Sequence, residues 1–324
     1  MSTKQPYLNR FTVRKESLGW RWDRFLFSVK LIETTVQLQL QRQTDLKKLY
    51  HRKADFIYEE YDVSERQQEF EKLDWSFFRR LGIPGRLDEE VRKFPILTEY
   101  VSNIVVSVAT QKADETADLL DHCDEQMLIS ICPETLVDWN IRRRYLLNEL
   151  LHVADMLDPA FLYERKKLGN SPSEEEIVRQ RFSLLWRIYV DGRLEHQGET
   201  PFLLIGECEQ EFDRLFKRVP IVHRKKILEK LWSSSTLTYR QLVGFARDLS
   251  ELTEWVGASS GLSPDRDGGL ATGNSCPICQ CRMYHAVRLD EKSDSAMVNR
   301  IREEFPEWCP DQGICDRCLE YCEL

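Results

Sequence analysis

Three stretches decide the fold class: VSNIVVSVAT (residues 101–110), QMLISIC (126–132), and the run that starts at Pro133-Glu134 and ends in NELLHVADMLDP (148–159). The first is rich in β-branched residues and the second alternates apolar with polar, so both read as strands, and their nearness in sequence predicts a hairpin. Pro133 and Glu134 suit the opening turn of a helix, and Pro159 stops it. Working outward, residues 24–60 carry Leu26, Val29, Ile32, Val36, Leu46, Leu49 and Phe56 among charges, and 64–81 (SERQQEFEKLDWSFFRRL) has Ser64 as N-cap ahead of helical apolar spacing. LGIPGR then breaks the chain. Further helices are expected near 173–191, 208–218, 222–233 and 238–255, the first opened by SPSEEE and given an apolar face by Leu184, Leu185, Ile188 and Tyr189. Two strands set among this many helices make a predominantly helical α+β domain.

The helical pattern stops at GASSGLSPDRDGGLATGNS (257–275), which holds five of the 14 glycines and has no apolar periodicity. A linker over 257–273 therefore separates a large domain, 1–256, from a small one, 274–324. At 324 residues, 42% hydrophobic and 31% charged, the chain can bury a full core and is not of the disordered class. No stretch approaches the roughly 18 uncharged apolar residues of a spanning helix, and the first twenty residues lack the apolar core of a signal peptide, so a cytoplasmic protein without a membrane segment is expected.

The net charge of −8 argues against a chain-wide positive field of the kind that holds nucleic acid. It averages two unlike parts. Residues 1–53 hold twelve Lys or Arg against four acids, and 1–60 read as a basic, helical N-terminal segment. Trp20, Arg21, Trp22 and Arg24 within it suit stacking on bases or a partner's groove, or else a solvated basic face with both tryptophans packed in the core.

Seven of the ten cysteines lie after residue 275: Cys276, Cys279, Cys281, Cys309, Cys315, Cys318 and Cys322. Cys276-Pro-Ile-Cys279 and Cys315-Asp-Arg-Cys318 are two CxxC pairs, each able to present two thiolates from a tight turn, and together they make a tetrahedral four-cysteine site. Zinc is the expected ion, since four thiolates satisfy it and leave no position open to water; an iron–sulfur cluster takes the same four. Cys281, Cys309, Cys322 and His285 are alternative donors. About fifty residues cannot build a strong core alone, so the metal would supply much of the folding free energy. With Gly313 permitting the turn before the second pair, YHAVRL reading as a strand and SAMVNRIREEF as an inserted helix, residues 274–324 resemble a treble-clef or ribbon-type zinc finger.

Asn148-Glu149-Leu150-Leu151-His152 differs at one position from HExxH, and with strands before it and helices after it the region around 100–200 resembles a zincin metallopeptidase. The resemblance implies Glu149 as the group that activates water and His152 as a zinc ligand. Asn148 stands where the first histidine belongs, and an amide oxygen is a poor zinc ligand beside imidazole. For a third ligand the resemblance implies either Asp158, six residues past His152 across a left-handed turn at Asp155, or an acid on a later helix, Asp191 or Glu195. In the plainer reading His152 and the nearby acids make ordinary hydrogen bonds or ion pairs with Arg142, Arg143 or Arg144. The residues thus support two functions: a weak or inactive relative of zinc metallopeptidases carrying a structural finger, or a non-enzymatic adaptor whose finger and basic segment grip a protein or nucleic-acid partner. There is no Gly-rich phosphate loop, no GxSxG elbow, and His122-Cys123 reads as a turn rather than a nucleophile pair.

Overall fold

The computed structural model describes residues 18–120, 123–169, 172–217, 219–257, 275–279, 286–287, 289–290, 294–306, 308–315, 318–319 and 322. The chain divides into two compact units, Met1–Pro159 with Gln197–Phe202, and Ala160–His196 with Leu203–Leu324. In element content it is a predominantly helical α+β protein.

The first unit holds β1 (Leu18–Trp22), β2 (Phe25–Ser28), α1 (Val29–Arg42), α2 (Thr44–Glu60), α3 (Val63–Arg80), α4 (Ile83–Val91), α5 (Pro95–Tyr100), β3 (Asn103–Val108), β4 (Thr116–Leu120), β5 (Cys123–Ile131), α6 (Pro133–Val137) and α7 (Trp139–Leu157). Its strands form one mixed sheet in the order β1-β2-β3-β5-β4. β2, β3 and β5 run parallel, and β1 and β4 are antiparallel edges. The inner strands are apolar on both faces, as parallel strands covered on both sides must be: Ile104, Val105 and Val106 are all buried.

Two expectations change here. Residues 101–110 and 126–132 do not form a hairpin; β3 pairs β5 in parallel, from Asn103↔Gln126 to Val108↔Ile131. The connection between them holds a strand of its own, β4, which turns back along the far side of β5, so the direction reverses twice. Residues 1–17 of the leading segment lie outside the described residues, and 18–28 is not helical either. Trp20 and Trp22 alternate on β1, Phe25 and Phe27 on β2, and a two-residue turn joins them, with Asp23 in the left-handed region (φ 50°). Trp20 stacks on Trp75 of α3 at 5.8 Å, and Phe27 meets Trp75 and Phe78 at 5.8 and 5.2 Å, so this aromatic hairpin belongs to the core. Ser28 closes it by capping α1, its Oγ accepting the Leu31 N–H. The cap of α3 falls at Asp62, not Ser64.

An ion cluster ties the returning stretch Gln197–Phe202 into this unit. Arg143 on α7 donates to Glu90 at 2.6 Å and to Glu199 at 2.8 Å, and Lys93 pairs with the same two carboxylates. Beside it the Tyr145 and Phe202 rings meet edge to face at 5.1 Å.

The second unit contains α8 (Pro172–His196), α9 (Ile205–Leu215), α10 (Ile221–Ser233), α11 (Tyr239–Arg247), α12 (Leu249–Trp255), β6 (Ala286–Val287), α13 (Ser295–Glu304) and β7 (Ile314–Cys315). α8 and α10 approach closely at Gly192, where an added Cβ would lie 2.1 Å from the Trp232 carbonyl oxygen. Most of 257–273 lies outside the described residues. Among the described residues, no helix is long and apolar enough to cross a membrane.

Candidate metal centre

Four sulfurs converge in the C-terminal module. Cys276 and Cys279 come from the turn after residue 275, Cys315 ends β7, and Cys318 is in helical conformation. β7 pairs with β6 through Ala286↔Cys315 and Val287↔Ile314, which fixes the second pair of thiols. Gly313 sets up this strand with φ 66°, a value L side chains rarely adopt, and its carbonyl accepts the Trp308 indole N–H at 2.9 Å.

All four Sγ atoms lie within 4.8 Å of one another, with Cys276–Cys318 at 4.0 Å and Cys279–Cys315 at 3.7 Å. Tetrahedral Zn–S bonds of about 2.3 Å put neighbouring sulfurs about 3.8 Å apart, so the donor set fits a zinc ion in both chemistry and spacing. The Cys318 backbone N–H points at Cys315 Sγ, 3.4 Å away, a contact that favours the thiolate. Against it, burial pushes the Cys315 thiol up, and burial together with the neighbouring thiols pushes Cys318 far up. Four thiolates this close repel one another unless a cation lies between them.

Among the described residues, the other candidate donors, Cys309 and Cys322, are not in this set. Cys309 is exposed, and Cys322 is buried with Val298, Ile301, Trp308 and Ile314 in the module's apolar core, where burial raises its thiol. The inserted helix is present as α13, whose Val298 and Ile301 belong to that core. Cys281 and His285 lie outside the described residues.

The NELLH residues sit on α7. Asn148 and Asp155 are buried, while Glu149, His152 and Asp158 are half-buried. Glu149 Oε2 accepts the Thr116 hydroxyl and the Ala117 N–H, both at 3.2 Å. α7 remains helical through Leu157 and is capped by Asp158, so the left-handed turn expected at Asp155 is absent; Asp23 and Leu162 are the non-glycine residues with positive φ among those described. Asp191 and Glu195 lie on α8. Asp191 is fully buried and accepts the Leu203 N–H at 3.2 Å, and burial with this carboxylate alongside pushes the Cys208 thiol up to about 12. Glu195 accepts the Trp232 indole N–H at 2.6 Å. Among the described residues, these acids and His152 form no second group of three donors close enough to share an ion. Sequence reasoning missed the tie from Glu149 to β4, because β4 itself was not seen. No family model, no curated protein and no solved structure matches the chain.

Proposed function

We propose that the chain is a zinc-binding, non-catalytic protein in which one structural Zn2+, held by Cys276, Cys279, Cys315 and Cys318, folds a C-terminal module over 274–324, joined by a linker over 257–273 to a scaffold over 1–256. The observation that carries it is the convergence of four sulfurs within 4.8 Å. A closed thiolate site leaves no coordination position for water or substrate, so the ion supplies folding free energy rather than catalysis. The working surface is then the outside of the module, as in an adaptor that grips a partner, with the basic leading segment as a second contact. Metal analysis of the purified chain tests the reading: one zinc per chain is expected, lost in Cys315→Ser and kept in His152→Ala. A zinc that survives Cys315→Ser and leaves with His152→Ala would overturn it.

The second reading, an inactive relative of zinc metallopeptidases, is favoured by one observation, the packing of the helix that carries NELLH along a sheet edge at Glu149. Asn148→His restores the first histidine of the motif, and this reading expects that variant to bind a second zinc. No second zinc would end it.

A further inference from the structure

In a chain of net charge −8, residues 214–228 hold six Lys or Arg and no Asp or Glu. They cover the end of α9, the turn after it and the first half of α10. Ile221 and Val222 open α10 as two adjacent aliphatic side chains left 73% and 66% exposed. The turn that presents them is firmly built. Its Phe216 and Val219 are fully buried, and the Val219 N–H donates to the Phe216 carbonyl at 2.9 Å. Arg224 donates to the Val219 carbonyl at 2.8 Å and to the Lys217 carbonyl at 2.7 Å, and pairs with Asp213 at 3.1 Å. Lys225 and Lys226 each lie one helical turn beyond an aliphatic residue, so Ile221 with Lys225 and Val222 with Lys226 share faces of α10. Lys217, Lys225 and Lys226 are all exposed. Lys225 comes within 4.0 Å of Glu229, while Lys217 and Lys226 enter no ion pair among the described residues. The acids at the end of α9 are already matched, Asp213 to Arg224 and Glu211 to Arg187 and Arg214.

An exposed aliphatic pair ringed by lysines selects its partner by chemistry. Single-stranded nucleic acid is gripped by aromatic side chains that stack on bases, and the exposed apolar residues here are aliphatic. A protein partner needs roughly 800 Å² on each side and a large anchor seated in a pocket, far more than two side chains offer. A lipid surface needs no matching pocket: it takes aliphatic side chains into the boundary between headgroups and acyl chains and attracts lysines to anionic headgroups. We propose that the turn between α9 and α10 is a peripheral docking site for an anionic bilayer, with Ile221 and Val222 entering that boundary and Lys217, Lys225 and Lys226 lying among the headgroups. The whole-chain charge does not oppose this, because attraction is set within a Debye length of about 8 Å at physiological salt. The proposal is independent of the zinc site.

Co-sedimentation of the full chain with vesicles tests it, with phosphatidylcholine alone compared with phosphatidylcholine carrying about 30% phosphatidylserine. A duplex oligonucleotide serves as the rival anion. Affinity should be at least about tenfold higher for the anionic vesicles. Replacing the aliphatic pair (Ile221→Ser with Val222→Ser) should weaken it at least about tenfold, and so should removing the charges (Lys217→Gln, Lys225→Gln and Lys226→Gln together). Val222→Trp should tighten binding, a gain that loss of folding cannot produce. No binding to anionic vesicles, equal binding to both compositions, serine variants that bind as wild type does, or a Val222→Trp that binds no tighter would each overturn the proposal. A preference for the oligonucleotide that the serine variants retain would overturn it in favour of nucleic acid.

Discussion

The C-terminal module and the sheet of the first unit are held together by different physics. Among the described residues after 274, Val298, Ile301, Trp308 and Ile314 are buried with Cys276, Cys315, Cys318 and Cys322, and the sulfurs of Cys276, Cys279, Cys315 and Cys318 lie within 4.8 Å of one another. In the sheet, Phe25, Phe27, Ile104, Val106 and Met127 are buried on one face, where Phe27 meets Trp75 and Phe78 of α3. Potential ligands therefore mean different things in the two regions. A cysteine cluster of this spacing could hold a metal ion, whereas Glu149, Asp191 and Glu195 accept hydrogen bonds from backbone groups and neighbouring side chains.

The largest effect expected from this contrast is chelation. Removing zinc should cost the module about 10 kcal/mol of folding free energy, enough to melt 274–324, while amide protection in β2, β3 and β5 is unchanged. Hydrogen exchange before and after chelation reads both regions at once, and loss of protection in the strands would break the contrast. The converse is Phe27→Ala, which opens a cavity in the aromatic cluster and should cost about 3–5 kcal/mol in denaturant unfolding with no change in bound zinc.

A smaller effect concerns Asp74, buried on α3 beneath the Tyr50 hydroxyl at 2.8 Å. Burial raises its carboxyl to about 6, partly offset by the Tyr50 hydrogen bond and reinforced by Glu33 and Glu71. Its folded value lies above the unfolded one, so the folded state favours the neutral acid. Stability should fall as pH rises from about 4 through about 6, and remain lower beyond. Asp74→Asn, which keeps an acceptor for Tyr50, should then stabilise the protein at pH 8 by about 2 kcal/mol and change little at pH 4. Melting curves at the two pH values decide it; an equal gain at both would remove the titration from the account. Smallest is Gly82→Ala at the start of α4, where φ is 72° and space is open: about 1 kcal/mol of strain, with zinc again unaffected.

How much of this was legible follows the same division. The CxxC pairs are local features, each four residues long, and they led to the four sulfurs that converge. α13 and the helices of the second unit show their apolar spacing within a single turn or two. Sheet direction is not local. Nothing in VSNIVVSVAT or QMLISIC says whether they run parallel, and the answer lies in TADLL (116–120), where only Ala117 and Leu119 are buried, too short a pattern to stand out. The hairpin at 18–28 was hidden by its charges, because Arg21 and Arg24 drew attention to a basic segment while Trp20, Trp22, Phe25 and Phe27 already had strand period around a two-residue turn. Glu149 could not be read as a tie to β4 until β4 had a place.

The ion cluster at Arg143 also sets an order of events during synthesis. Its partner Glu90 is made before it, but Glu199 comes 56 residues after it, beyond the whole of α8. When Pro159 leaves the ribosome, every strand of the sheet exists, yet Arg143 and Lys93 have one carboxylate to share where the finished protein gives them two. A fragment cut at residue 159 would keep that shortfall permanently, and the nascent chain passes through the same state until residues 160–199, α8 among them, have been added.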